Sequence, residues 1–140
     1  MKKLYPTFLC FFIICSFLYP QTDITIEAED GILNGTQIAN TRSDFSGTGY
    51  VTGFDQSGDY VEVSTQIPTS GIWELKIRYA APYGYKENYL YINGQLQATV
   101  SFPESQTFSV VSAGKMFFQQ GEIKIRVQSY WGWFELDSFI

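Results

Sequence analysis

The sequence predicts an all-β chain, an antiparallel β-sandwich, on three observations. From Ile24 onward the apolar residues recur with a period of two rather than 3.6. Turn signals built on glycine separate these runs at short intervals. Past the N-terminal leader, no stretch of ten residues carries the spacing of an amphipathic helix.

In chain order, Val61 and Val63 flank Glu62, placing one polar side chain between two apolar ones. Trp73, Leu75, Ile77 and Tyr79 share one face of residues 73–79, and Glu74, Lys76 and Arg78 share the other. Trp73 and Tyr50 are therefore core candidates. Asn93-Gly94 is a two-residue hairpin turn between Leu90-Tyr-Ile92 and Gln95-Leu96, because both positions accept a positive φ. Leu96, Ala98 and Val100 alternate with Gln97 and Thr99, and Ile123, Ile125 and Val127 with Lys124 and Arg126. Ser57-Gly58, Ser70-Gly71, Gly114 and Gln120-Gly121 mark further turns. Eight or nine short strands with one apolar face each must pack two sheets on a single core. A jelly roll and an immunoglobulin-like sandwich both satisfy this pattern.

The first twenty residues read differently. Lys2 and Lys3 precede an eleven-residue apolar run, FLCFFIICSFL at 8–18, and Tyr19-Pro20-Gln21 breaks it. A membrane-spanning helix needs about 20 apolar residues, so residues 1–20 read as a secretory signal cut between 18 and 23, and the product as secreted. Residues 21–140 form the single remaining domain. The chain stops on the apolar Ile140 of a strand-like segment, as expected of a module followed by a further, catalytic domain.

Composition narrows the chemistry. The chain has no histidine, which removes Ser-His-Asp and Cys-His nucleophiles and histidine-ligated metals. Its two cysteines, Cys10 and Cys15, both lie in the leader. Without Lys2 and Lys3, fourteen acids face seven bases, a net charge of −7. This excludes nucleic acid and an anionic membrane as partners, since both demand a basic face.

Acids stand near both ends of the domain. Glu27 and Glu29 are two apart on an expected strand, so their Cα atoms lie about 6.5 Å apart on one side. Asp137 lies in the last strand, and pairing of the first strand with the last brings the three together. Converging carboxylates repel unless a cation sits between them, and an all-oxygen set favours Ca²⁺. Carbonyls of the 42–47 loop complete a shell of roughly six to eight oxygens. Two other readings of these acids stay open, a solvated outer face and a glycosidase pair.

Rings concentrate in two loops, residues 81–88 (APYGYKEN) and 129–133 (SYWGW). One face of a pyranose presents C–H bonds that pack on an aromatic plane, and its hydroxyls need polar partners. Tyr83 and Trp131 supply planes, with Tyr85 beside them. Lys86 and Asn88 supply hydrogen bonds, with Asp55 as a lesser candidate. Trp133 and Tyr130 read as structural.

Six motifs in order, IEAED at 26–30, FSGTGYVTGF at 45–54, GDYVEV at 58–63, IRYAAPYG at 77–84, LYING at 90–94 and LDSFI at 136–140, make residues 24–140 resemble carbohydrate-binding module family 35, close to family 6. The resemblance implies a jelly-roll β-sandwich and a structural calcium held by Glu27, Glu29 and Asp137. Many relatives end in Leu-Asp-Tyr-Ile, whereas Ser138-Phe139 follows Asp137 here; the aspartate itself is retained. APYGYK and SYWGWF are most similar to the mannan-binding branch attached to β-mannanases. The expectation is a secreted, monomeric, non-catalytic module that targets an appended glycoside hydrolase to a polysaccharide, β-mannan first, with xylan and pectic sugars as alternatives. A small glycosidase or lyase and a protein-adhesion sandwich are the competing functions.

Overall fold

A computed structural model describes residues 23–140; the segment at 1–20, read above as a secretory signal, lies outside the described residues. Eleven strands follow in order: β1 (Ile26–Glu27), β2 (Ile32–Asn34), β3 (Gln37–Ala39), β4 (Tyr50–Thr52), β5 (Tyr60–Ile67), β6 (Gly71–Ala81), β7 (Lys86–Ile92), β8 (Gln95–Phe102), β9 (Ser105–Phe118), β10 (Gly121–Trp131) and β11 (Glu135–Phe139). One sheet runs β3-β4-β11-β6-β9, with β1 also paired to β11, and the other runs β2-β5-β10-β7-β8. Every pairing is antiparallel. The fold is an antiparallel β-sandwich of the jelly-roll type. The surplus over eight or nine strands comes from β1 to β4, two or three residues each, too short to display an alternation.

The alternating runs face the core as their period requires. Val61, Val63, Leu75, Ile77, Tyr79, Ile123, Ile125 and Val127 are all buried between the sheets. Trp73 packs on the edge of that core half-buried, its indole N–H donating to the Thr69 carbonyl at 3.2 Å. Tyr50 is buried in a smaller cluster with Ala80 and Phe108, its ring 5.3 Å from that of Phe108.

One strand departs from the expected alternation. Val100 is buried, but Leu96 is exposed. A register shift between Leu90 and Tyr91 pairs Leu90 with Ala98 and Tyr91 with Leu96, so Gln97 is the extra residue of a bulge. A slip of one residue moves every following side chain to the opposite face.

At one end the core closes under the loops that join the sheets. The Phe134 ring lies 4.6 Å from that of Phe54 and 4.7 Å from that of Phe102. Three segments are thus clamped together: the 53–59 loop, the end of β8 and the approach to β11. Cutting Phe134 to Ala would cost about 3–5 kcal/mol and loosen all three.

Candidate functional site

The platform end is built from β7, β10 and the loops beside them. On β7 the alternation of Leu90 and Ile92 continues back to Asn88 and Lys86, so all four side chains face inward. Lys86 and Asn88, expected to bond sugar hydroxyls, thus stand behind the exposed rings rather than beside them. Lys86 is buried; its Nζ donates to the Tyr83 carbonyl at 2.7 Å, and its stem lies against Gly132. A Cβ on Gly132 would stand 2.3 Å from Lys86 Cδ, and its φ of +80° adds strain for any other residue. Lys86 is therefore the fastener between the 82–85 and 132–134 loops.

Asn88 is fully buried and works on β10. The pairing of β7 with β10 shifts between Ser129 and Trp131, so Tyr130 is the extra residue of a bulge. Its amide, left out of the ladder, donates to Asn88 Oδ1 at 3.0 Å. The bulge also puts Tyr130 and Trp131, consecutive residues, both on the outside. Asn88 Nδ2 has no hydrogen-bond partner among the described residues.

Two exposed ring groups result. Tyr83 is 74% exposed, and its ring lies 5.3 Å from that of the half-buried Trp133 at 43°. Trp131 is 63% exposed and paired in register with Glu87. The Tyr85 hydroxyl donates to Glu87 Oε1 at 2.5 Å and lies 2.9 Å from Ser101 Oγ. The bond to Glu87 raises the Tyr85 phenol above its ordinary value, so it remains a neutral donor at pH 7. Tyr130 is exposed rather than structural, stacked on Tyr89 at 4.6 Å. Asp55 is exposed on the 53–59 loop, which Asp59 shapes by accepting the amides of Asp55 and Gln56. That loop is tied to the platform where the Ser129 amide donates to the Asp59 carbonyl at 2.8 Å. The structure thus brings Tyr83, Tyr85, Trp131 and Asp55 to one end, all four exposed, with the Tyr85 hydroxyl engaged by Glu87 and Ser101.

The three acids meet elsewhere, along β11. β1 pairs with β11 as anticipated, Glu27 opposite Ser138. Glu29, however, lies in a 3-10 turn at Ala28–Asp30 rather than on a strand. That turn wraps both glutamates around the 46–49 segment. Glu29 Oε1 accepts the amides of Thr48 and Gly49 at 2.7 and 3.0 Å. Asp137 is fully buried and accepts the Ser46 amide at 2.9 Å. Ser46 Oγ lies 2.7 Å from both Glu27 Oε2 and Asp137 Oδ2. A hydroxyl has one proton, so one of these two contacts sets oxygen against oxygen unless positive charge enters. Arg78 supplies part of it, pairing with Asp137 while donating to the Asp44 carbonyl at 2.5 Å.

Among the described residues no three acids are gathered closely enough to enclose an ion. The donor set nevertheless fits a hard cation. Glu29 Oε2 is buried with no hydrogen-bond partner, and a Cβ on Gly47 would lie 2.3 Å from Glu29 Oε1 and 3.0 Å from Glu27 Cγ. Glu27, Glu29 and Asp137 are the residues that would hold a Ca²⁺ here. These acids face a packed loop and not a cleft, which leaves a glycosidase pair without room for a sugar. Sequence reasoning missed Ser46 and Arg78. The position of Arg78 opposite the core face of β6 was its one signal. Nearby, Arg42 pairs with Glu135, whose carboxyl burial pushes up and Arg42 pulls back.

An open aromatic surface carried on a rigid jelly roll defines a binding module. The profile described as carbohydrate binding module (family 35) matches residues 24–140. The chain belongs to that family. A mannan endo-1,4-beta-mannosidase of Thermothelomyces thermophilus is 39% identical over 114 residues, 81% of this chain and 24% of that protein. The crystal structure of a GH26-CBM35 beta-(1,4)-mannanase of Podospora anserina superposes with a TM-score of 0.77 at 37% identity, covering 83% of this chain and 26% of that one. A family 35 carbohydrate binding module of Clostridium thermocellum shares the fold, with a TM-score of 0.74 at 22% identity over 83% of this chain and 94% of its own. The chain spans about a quarter of the length of the mannosidase and of the mannanase.

Proposed function

We propose that the chain grips β-mannan on Tyr83, Tyr85 and Trp131 and thereby keeps an appended glycoside hydrolase on its polymer. The observation that carries this is the pair of exposed rings, Tyr83 and Trp131, on loops pinned by Lys86 and Asn88. Pinned loops lose little freedom when a ligand arrives, so more of the contact energy appears as affinity. Similarity to two mannan-cleaving enzymes supports mannan over xylan or pectic sugars. The advantage to a hydrolase is local concentration, since a tethered enzyme meets its polymer without a new encounter.

The same reading includes a structural Ca²⁺ held by Glu27, Glu29 and Asp137, and a monomer secreted by way of residues 1–20. The orphaned Glu29 Oε2 and the crowded Ser46 hydroxyl support the ion. When bound it would neutralise the acids and tie β1 to β11. Affinity electrophoresis tests the sugar. A gel containing galactomannan or glucomannan should retard the domain, and Trp131→Ala should abolish the retardation. Equal mobility with and without polymer, or an undiminished retardation in the variant, would refute the assignment.

A further inference from the structure

The end of the sandwich away from the platform carries the β7–β8 and β9–β10 turns. The gap between the β7–β8 and β9–β10 turns is a cleft of about 650 Å³. Its apolar lining is Ile92, Met116, Phe117, Phe118 and Ile123, of which Phe117 is the exposed one. Its rim carries four glutamines, Gln95 and Gln97 on β8 facing Gln119 and Gln120 on the opposite turn.

Two of these glutamines stand where packing does not ask for them. Gln95 pairs with the buried Ile92, so it occupies the core-facing side of an edge strand. Gln97 is the extra residue of the β8 bulge, a device that re-aims a side chain at the cost of ladder pairing. Among the described residues the four amide groups make one hydrogen bond, Gln97 Nε2 to the Gln95 carbonyl at 3.4 Å. Their remaining donors and acceptors are free. Glu122 is the one charged residue of the lining.

We infer that this cleft is a second ligand site, and that it takes a neutral oligosaccharide. Each amide offers a donor and an acceptor side by side, matching hydroxyl groups that both give and receive hydrogen bonds. The exposed Phe117 ring of the lining suits the C–H face of the same sugar. An anionic sugar would meet Glu122 on an acidic protein of net charge −5. An apolar peptide would strip water from four amides without pairing them. With the platform at the other end, one molecule would engage two saccharide segments.

The test uses the ¹⁵N-labelled Trp131→Ala chain, so that the platform reading is not at stake. Mannohexaose, cellohexaose and xylohexaose are titrated in turn. The side-chain amide signals of Gln95, Gln97, Gln119 and Gln120 should shift saturably with at least one of them. Adding Gln95→Ala and Gln119→Ala should weaken that binding about tenfold, the loss of one to two good hydrogen bonds. An absence of saturable shifts with all three sugars overturns the inference. So does affinity unchanged by the two substitutions. The titration of the Trp131→Ala chain decides by itself should the triple variant fail to fold.

Discussion

Along β11, charged groups are turned inward and tied down; at the end of β10, the large ring of Trp131 is turned outward and left free. Asp137, with no exposed surface, meets Ser46 and Arg78. Six residues earlier, Trp131 is mostly in water. Both placements oppose what hydrophobicity alone would choose. The difference teaches how the work is divided. Buried acids with paired partners close the sandwich, and exposed rings with no partner wait for one. The residues between them, Gly132 and Phe134, connect the two regimes by fitting against Lys86 and by plugging the core.

The comparison can be broken most severely at Asp137. Asp137→Ala leaves Arg78 beside an empty acid position and should destabilise the fold by about 3–5 kcal/mol, read from urea or thermal unfolding. Sugar affinity measured below the lowered melting point should be unaffected. Next comes the ion. Ca²⁺ at a hundred times its dissociation constant should add about 2.7 kcal/mol, seen as a rise in melting temperature that a chelator reverses. A melting curve indifferent to both reagents would remove the ion from the hub.

The exposed side separates its two tryptophans. Trp131→Ala should cost about 2 kcal/mol of binding, roughly thirtyfold, with stability moving by no more than about 0.5 kcal/mol. Trp133→Ala should lower both, because its half-buried ring also supports Tyr83. Calorimetry paired with a melt distinguishes the two patterns. The smallest effect belongs to Lys86→Met, which keeps the stem but loses the bond to the Tyr83 carbonyl. Affinity should fall by about 1 kcal/mol while the charge change at the surface stays negligible.

Much of this was legible in the residues. The period of two placed β5, β6 and β10 correctly, and the pairing of the opening strand with β11 is the condition on which the acids at both ends approach one another. Asn88 and Lys86 look like loop residues beside Pro82 and Gly84, although their spacing from Leu90 already puts them inward. The bulges in β8 and β10 were beyond reach. A single sequence does not mark which residue of Ser129, Tyr130 and Trp131 is supernumerary, since that depends on the partner strand. Likewise Glu29 shares a side with Glu27 through a 3-10 turn, and a strand reading arrives at the same side by a different backbone.

β11 lies between β4 and β6 in its sheet. The two halves of that sheet therefore have no common neighbour until residues 135–139 exist. A nascent chain lacking them exposes two unpaired strand borders, and the stretch that joins them is the last of these eleven strands to be synthesised. Assembly of the sheet must be long-range and late, which slows folding and leaves the growing polypeptide dependent on staying soluble in the meantime.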